Sequence, residues 1–105
     1  MYSYKLVQND RMKLLQKLKS NSVQLIITSP PYNIGKSYEK KKPFELYLKE
    51  QEKTLIECFR ILKKKGSLCW QVGSYFEKSE LYPLDIFIYE ICKKIGFNLR
   101  NRIIW

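Results

Sequence analysis

The sequence predicts an α/β fold in which a parallel sheet is flanked by helices. Two segments, residues 23–28 and 67–73, are short, mostly apolar and uncharged, as are strands that are covered on both faces. Segments with apolar side chains at helical spacing lie between and after them, and this alternation is typical of strands joined by crossover helices. The 105 residues are 45% hydrophobic and 14% aromatic, which is enough for one small core.

The first third of the chain predicts a strand, a helix and the first covered strand. Residues 2–8 alternate in side-chain character and favour a short strand, and residues 11–19 carry apolar side chains at helical spacing. A polar turn then leads into the strand at residues 23–28. That strand ends before Pro30 and Pro31, because proline has no N–H for the ladder.

The middle of the chain predicts an exposed loop and the longest helix. Residues 33–43 are polar and contain a run of three lysines. Residues 44–65 form the predicted helix, with acidic side chains early, lysines late and Gly66 as the stop signal, as the helix dipole and C-cap favour. Its expected core stripe consists of Phe44, Leu48, Leu55, Phe59 and Leu62.

The last third predicts a strand at residues 67–73, a polar loop at residues 74–81, a helix and a final strand. Pro83 opens that helix and Gly96 ends it, and residues 97–105 form the strand. The predicted element order is therefore β-α-β-α-β-α-β. Because the sequence ends within an apolar run, we expect the chain to be a piece of something longer.

Charge and composition narrow the classes of function. Twenty Lys and Arg against ten Asp and Glu give a net charge of +10, which favours polyanionic partners, nucleic acid first, although a lysine-rich proteome background would produce the same excess. The absence of His excludes a histidine base, a Ser-His-Asp triad and His-containing zinc sites within this sequence. Three Cys without a C-x-x-C pair suggest neither a disulfide framework nor a metal site. Without a signal peptide or membrane span, we expect a cytoplasmic protein.

The segment Ser29-Pro30-Pro31-Tyr32 contains the residues whose chemistry suggests a function. Ligands of α/β sheets bind beyond the carboxyl ends of the strands, where this segment lies. The prolines fix the backbone, a carbonyl and the Ser29 hydroxyl can accept hydrogen bonds, and Tyr32 offers a flat ring. Such a set can grip a planar amine and localise its nitrogen lone pair without a strong base.

These residues and their flanks resemble the amino-group DNA methyltransferases of bacterial restriction-modification systems. Their catalytic motif is (D/N/S)-P-P-(Y/F/W), and residues 29–32 match it after a covered strand. Residues 60–67, 70–73 and 100–105 agree with the same branch, so that the resemblance spans nearly the whole chain. It implies a partial Rossmann-like S-adenosylmethionine-dependent methyltransferase sheet with flanking helices.

The resemblance implies roles for the residues of the motif. Ser29 and the Pro30 carbonyl would hold the target amino group, and Pro31 would shape the turn. Tyr32 would stack on the base once it is flipped out of double-stranded DNA, since the reactive nitrogen is out of reach inside the stack. The alternative for the segment is a rigid strand exit with an exposed aromatic side chain.

The resemblance also implies roles outside the motif. Asp10 matches an acidic position that faces the adenine of S-adenosylmethionine, although a helix N-cap would explain the same residue, and both roles can coexist. Lys36, Lys40, Lys41 and Lys42 would contact DNA phosphates, with solvation as the alternative for the run of three. No metal is implied.

One half of the family's cofactor site is missing from the sequence. The family's F-x-G-x-G loop lies far toward the C-terminus in this branch, and no G-x-G occurs among these residues. Residues 1–105 are therefore expected to form a single partial catalytic domain that lacks the cofactor loop and the target-recognition region. We expect the chain alone to be inactive, and a complementary methyltransferase chain or a homodimer is a possible arrangement. Adenine N6 is the favoured target, with cytosine N4 and a non-catalytic basic DNA-binding or scaffold module as alternatives.

Overall fold

The structure is a computed structural model that describes residues 2–31, 33 and 42–104. Within these residues the elements are three helices and four strands. The order is α1 (Arg11–Lys17), β1 (Val23–Thr28), α2 (Phe44–Ile61), β2 (Leu62–Trp70), β3 (Ser74–Glu77), β4 (Glu80–Pro83) and α3 (Leu84–Ile95).

Strands β1 and β2 pair in parallel, which confirms the predicted α/β class and its crossover through α2. The register runs from Leu25 opposite Ser67 to Thr28 opposite Trp70, with an irregularity near the start of β1. Gly66 lies in that irregular part, where a Cβ would come within 2.9 Å of the Gln24 carbonyl oxygen. The predicted role of Gly66 as a helix stop was wrong: α2 ends at Ile61, and this glycine lets the two backbones approach.

The buried face of α2 differs from the predicted stripe. It includes two polar side chains, Gln51 and Thr54, while Phe59 is largely exposed. Leu55 is completely buried, as predicted. The stripe predicted from hydrophobicity was partly wrong, because the polar side chains of Gln51 and Thr54 are buried on the same face of α2. The observed face comprises Tyr47, Gln51, Thr54, Leu55, Cys58 and Ile61.

The segment predicted as a polar loop at residues 74–81 was misassigned, because β3 and β4 form an antiparallel hairpin there. Its turn residues, Lys78 and Ser79, both have positive φ, 50° and 65°. Hairpin turns of this kind are dominated by Asn and Gly, so Lys-Ser gave no signal in the sequence. The hairpin packs Tyr75 into a cluster with Tyr47 and Leu84 at the centre of the core.

The two predicted terminal strands are absent from the described residues. Residues 2–8 and 97–104 have no strand structure, and their apolar side chains are largely exposed. A strand needs a neighbour to receive its backbone hydrogen bonds, and neither segment has one here. The predicted helix before residue 97 is correct: α3 follows Pro83 and ends at Gly96, whose φ of 132° suits glycine.

The sheet is covered on one face only in the described part of the chain. Leu25 is 51% exposed and Ile27 is 71% exposed, although both lie in the segment predicted to be covered on both faces. That prediction was therefore wrong for this structure. The other face of β1 carries Ile26 and Thr28, which are half-buried. Among the described helices, none is long and apolar enough to cross a membrane.

Candidate active site

Strand β1 delivers the Ser29–Pro31 backbone to the carboxyl end of the sheet. The Thr28 carbonyl still accepts a hydrogen bond from the Gln71 N–H at 2.9 Å, so the chain leaves the sheet only after this residue. Ser29 and Pro31 are exposed, and Pro30 is half-buried. The serine hydroxyl is therefore accessible, as binding an amine requires. Tyr32 lies outside the described residues.

The side chain of Tyr47 holds the far end of this segment. Its hydroxyl donates a hydrogen bond of 2.6 Å to the Pro31 carbonyl oxygen. Tyr47 lies in the first turns of α2 and is only 3% exposed, in the cluster with Tyr75 and Leu84. The Ser29–Pro31 segment is thus bonded directly to a packed part of the core.

Asn33 supplies a second anchor just beyond the segment. Its side chain is 1% exposed, and its φ of 63° is one that Asn tolerates better than most residues. The Oδ1 atom accepts from the Lys42 N–H at 2.7 Å, and the Nδ2 atom donates to the Lys42 carbonyl oxygen at 2.9 Å. The prediction of an exposed loop at residues 33–43 is therefore wrong at Asn33. Residues 34–41 lie outside the described part of the chain.

Asp10 caps helix α1. Its carboxylate accepts from the backbone N–H groups of Met12 at 3.1 Å and Lys13 at 3.3 Å, which is the predicted alternative to a cofactor role. Asp10 also lines an open polar hollow of about 340 Å³ with Arg11, Met12, Lys42, Glu50 and Lys53. Lys42 joins this hollow to Asn33, because its backbone N–H and carbonyl groups are both bonded to the Asn33 side chain.

The predicted phosphate-binding lysines are only partly described. Lys36, Lys40 and Lys41 lie outside the described residues. The Lys42 ammonium group forms an ion pair with the Glu50 carboxylate on α2, and both side chains are about one-third exposed (38% and 32%). Its contact with DNA phosphate stays a prediction, and it would have to compete with this carboxylate.

Three residues that position the site were not identified in the sequence. Tyr47, Asn33 and Glu50 act through backbone or ion-pair contacts whose partners are 8 to 16 residues away. The helical spacing of Tyr47 with Gln51 and Leu55 was the signal available for Tyr47. Among the described residues, no group of three or more His, Cys, Asp or Glu could hold a metal ion.

Comparison with known proteins identifies the family. A family model described as DNA methylase matches residues 23–105, a range that includes β1 and the whole Ser29–Tyr32 motif. The chain belongs to this DNA methylase family. The predicted resemblance to amino-group methyltransferases is thereby confirmed at the level of the family.

Individual relatives of this DNA methylase chain are type II methyltransferases and similar proteins. The type II methyltransferase M.BglII of Bacillus subtilis is 44% identical over 102 residues, which is 96% of this chain and 28% of that protein. The DNA adenine methyltransferase YhdJ of Escherichia coli K12 is 32% identical over 103 residues, 95% of this chain and 32% of that protein.

A solved structure shares the fold. A protein described as a DNA modification methylase from Thermus thermophilus, complexed with S-adenosyl-L-methionine, superimposes with a TM-score of 0.71 at 30% identity. The match covers 85% of this chain and 39% of that one. This DNA methylase chain therefore spans about a third of the length of the relatives it matches.

Proposed function

We propose that this chain is the N-terminal catalytic portion of a DNA methyltransferase that transfers a methyl group from S-adenosylmethionine to an exocyclic amino group, adenine N6 being favoured. The observation that carries the proposal is the exposed Ser29–Pro31 segment at the carboxyl end of β1. Ligands of α/β sheets bind at this end of the strands, and the segment belongs to a chain of the DNA methylase family.

The chain's own residues would bind and orient the amine. The Ser29 hydroxyl oxygen and the Pro30 carbonyl oxygen would accept hydrogen bonds from the two N–H groups, so that the nitrogen lone pair becomes available for attack. Tyr32 would stack on the flipped base. When bound, S-adenosylmethionine would supply an electrophilic methyl group on a positively charged sulfur: the nitrogen–methyl bond forms as the sulfur–methyl bond breaks, S-adenosylhomocysteine is left, and the surplus proton of the nitrogen passes to water.

The residues present fit one side of the cofactor. The Asp10 carboxylate at the edge of the polar hollow can accept from an amino or hydroxyl group, in addition to the two backbone groups that it caps. The rest of the cofactor site would come from polypeptide outside these 105 residues, consistent with a chain that spans 28% of M.BglII. We therefore expect weak or undetectable S-adenosylmethionine binding by this chain alone, which isothermal titration measures.

The exposed sheet face supports a complementary polypeptide as the partner. Leu25 and Ile27 project from β1 into solvent, and covering both would remove apolar surface from water. We infer that the remainder of a methyltransferase, in the same or a second chain, covers this face. Sedimentation of the chain alone tests the other arrangement: a stable homodimer that buries Ile27 would contradict this inference.

The decisive experiment assembles the two parts. The 105-residue chain is produced together with the part of M.BglII that lies outside the matched region, and transfer of a labelled methyl group to double-stranded DNA is measured. We expect activity that Ser29→Ala and Tyr32→Ala each lower by about 100-fold or more, the size of effect expected when a group that stabilises the transition state is lost. The matched controls, Ser79→Ala in the exposed β3–β4 turn and Tyr2→Ala in the exposed N-terminal segment, should retain full activity.

The products also decide between the alternatives. Nucleoside analysis that finds N6-methyladenine supports the favoured target, and N4-methylcytosine would contradict it. If no assembly methylates DNA, while the chain binds DNA in a salt-dependent manner that Ser29→Ala and Tyr32→Ala leave unchanged, the catalytic proposal fails and the binding-module alternative stands.

A further inference from the structure

We propose that Tyr47 is a positioning residue for methyl transfer, and that its hydroxyl fixes the direction in which the chain leaves Pro31. This inference rests on the proposed function for its effect on catalysis, but the contact is a property of the chain itself. The phenol donates to the Pro31 carbonyl oxygen at 2.6 Å, a normal length for an O–H···O hydrogen bond.

The geometry of the peptide group makes this contact effective. A peptide unit is planar, so holding its oxygen restrains the rotation of the whole unit that follows Pro31. The φ angle of Pro31 is already set by its ring. The Tyr47 hydrogen bond therefore restrains the rotation of the peptide unit after Pro31, which the proline rings leave free.

The position of the phenol is set by the core and not by the loop. Tyr47 is almost fully buried, clusters with Tyr75 and Leu84, and lies near the ring of Phe44 at a centroid distance of 6.5 Å. Rotating the ring away from Pro31 would disturb this packing. The hydrogen bond thus restrains the exposed Ser29–Pro31 segment by attaching it to the packed core between α2 and the β3–β4 hairpin.

A second bonded point lies two residues beyond Pro31. Asn33 bonds both backbone groups of Lys42, so the chain is held on either side of residue 32, by a side chain of α2 and by the backbone just before α2. Both restraints originate at one end of the same helix. A shift of α2 would therefore move both anchors together. Of the two, the Tyr47 anchor can be removed by one conservative substitution, because phenylalanine lacks only the hydroxyl.

Tyr47→Phe is the direct test, because it keeps the ring and deletes only the hydroxyl. In the assembly with the remainder of M.BglII, we expect kcat to fall by about tenfold, the factor that corresponds to one hydrogen bond, with the KM values for S-adenosylmethionine and DNA unchanged. The control is Tyr82→Phe, whose hydroxyl donates to the exposed Glu80 carboxylate at 3.1 Å and whose ring packs against the same cluster. It should leave kcat unchanged.

A second measurement does not depend on activity. In the 105-residue chain, the carbonyl carbon resonance of Pro31, observed through the following amide, should shift in Tyr47→Phe and stay in place in Tyr82→Phe. An unmoved Pro31 resonance overturns the inference, as does a moved resonance in an active assembly whose kcat is unaffected. If the unsubstituted assembly is inactive, the proposed function fails separately, and the resonance alone supports or overturns the contact.

Discussion

Two regions of this molecule differ in how completely their apolar side chains are buried. In the helix–hairpin region, formed by α2, α3 and the β3–β4 hairpin, Leu55 and Leu84 are fully buried and five aromatic rings pack together. In the sheet region, formed by β1 and β2, large apolar side chains such as Leu25 and Ile27 are exposed. The same apolar composition therefore produces a core on one side and an open surface on the other.

The contrast indicates where the proposed function needs further polypeptide. The helix–hairpin region holds Pro31 through Tyr47, so the segment proposed to bind the amine rests on completed packing. The sheet region carries the open face, which the proposed function assigns to further polypeptide. Under that proposal, positioning of the target amine depends on the core of this chain, whereas the rest of the cofactor site depends on polypeptide outside these 105 residues.

The largest expected effect is loss of stability in the helix–hairpin region. Leu55→Ala removes a completely buried side chain and leaves a cavity, so we expect the free energy of unfolding to fall by about 2–5 kcal/mol. Leu25→Ala on the open face of β1 should cost about 0.5 kcal/mol or less, since this side chain is half exposed. Urea denaturation of both variants measures the difference, and equal losses would show that the sheet face is covered in solution.

The sequence predicted those elements whose signals are local. The α2 and α3 helices and strand β1 have the periodicity, apolar runs and proline or glycine boundaries that such elements require. Prediction from the sequence failed where pairing between strands decides the structure. Lysines 63–65 looked like the end of a helix but lie in β2, in the part where its register with β1 is irregular. Residues 2–8 and 97–104 alternate or are apolar but have no paired strand among the described residues.

The candidate site was predicted from the sequence as a motif, but the contacts that hold it were not. The Ser29–Tyr32 motif is read directly from the sequence because its residues are consecutive, and its chemical role stays a prediction. The bonds from Tyr47 to Pro31 and from Asn33 to Lys42 join residues that only the folded loop brings together. Nothing in the residue types distinguishes Tyr47 from an ordinary core tyrosine.

The cysteines give a chemical test of the same contrast. Cys58 and Cys92 lie on α2 and α3, and burial is the main cause that raises the pKa of each thiol from 9.0 to about 11. Their thiolate fractions near pH 8 are then about 100-fold smaller than those of ordinary thiols. Cys69 is exposed on β2. We expect a thiol reagent to label Cys69 at least about 100-fold faster than Cys58, as peptide mass analysis over time measures.

The pH dependence follows from the same pKa shifts. Since the thiol pKa is raised in the folded state, the unfolded chain loses these protons first as pH rises. The free energy of unfolding should therefore fall between about pH 9 and pH 11.

Denaturation in concentrated guanidinium chloride is the control for the labelling experiment, and it should make the labelling rates of the three cysteines similar. Rapid labelling of Cys58 in the folded chain would contradict the completed packing of this region.

The smallest expected effect concerns Asp10, the N-cap of α1, a helix that packs against α2. Asp10→Ala removes the acceptor for two backbone N–H groups and should lower the free energy of unfolding by about 1 kcal/mol. Asp10→Asn keeps an N-cap of similar quality and should cost less. The cost stays small because α1 has seven residues and none of them is buried.

The same pair of variants separates the two roles of Asp10. If the carboxylate only caps α1, Asp10→Asn should bind S-adenosylmethionine in the assembled protein as tightly as the unsubstituted chain does. If it also binds the cofactor, Asp10→Asn should weaken binding although it keeps the cap, because an amide presents only one acceptor oxygen and no negative charge where the carboxylate presents two. We expect the second pattern, measured by isothermal titration, because Asp10 lines a polar hollow that also includes Lys42, whose backbone is bonded to Asn33. Equal affinity of Asp10→Asn and the unsubstituted assembly would show that Asp10 only caps α1 and would leave the cofactor contacts to other residues.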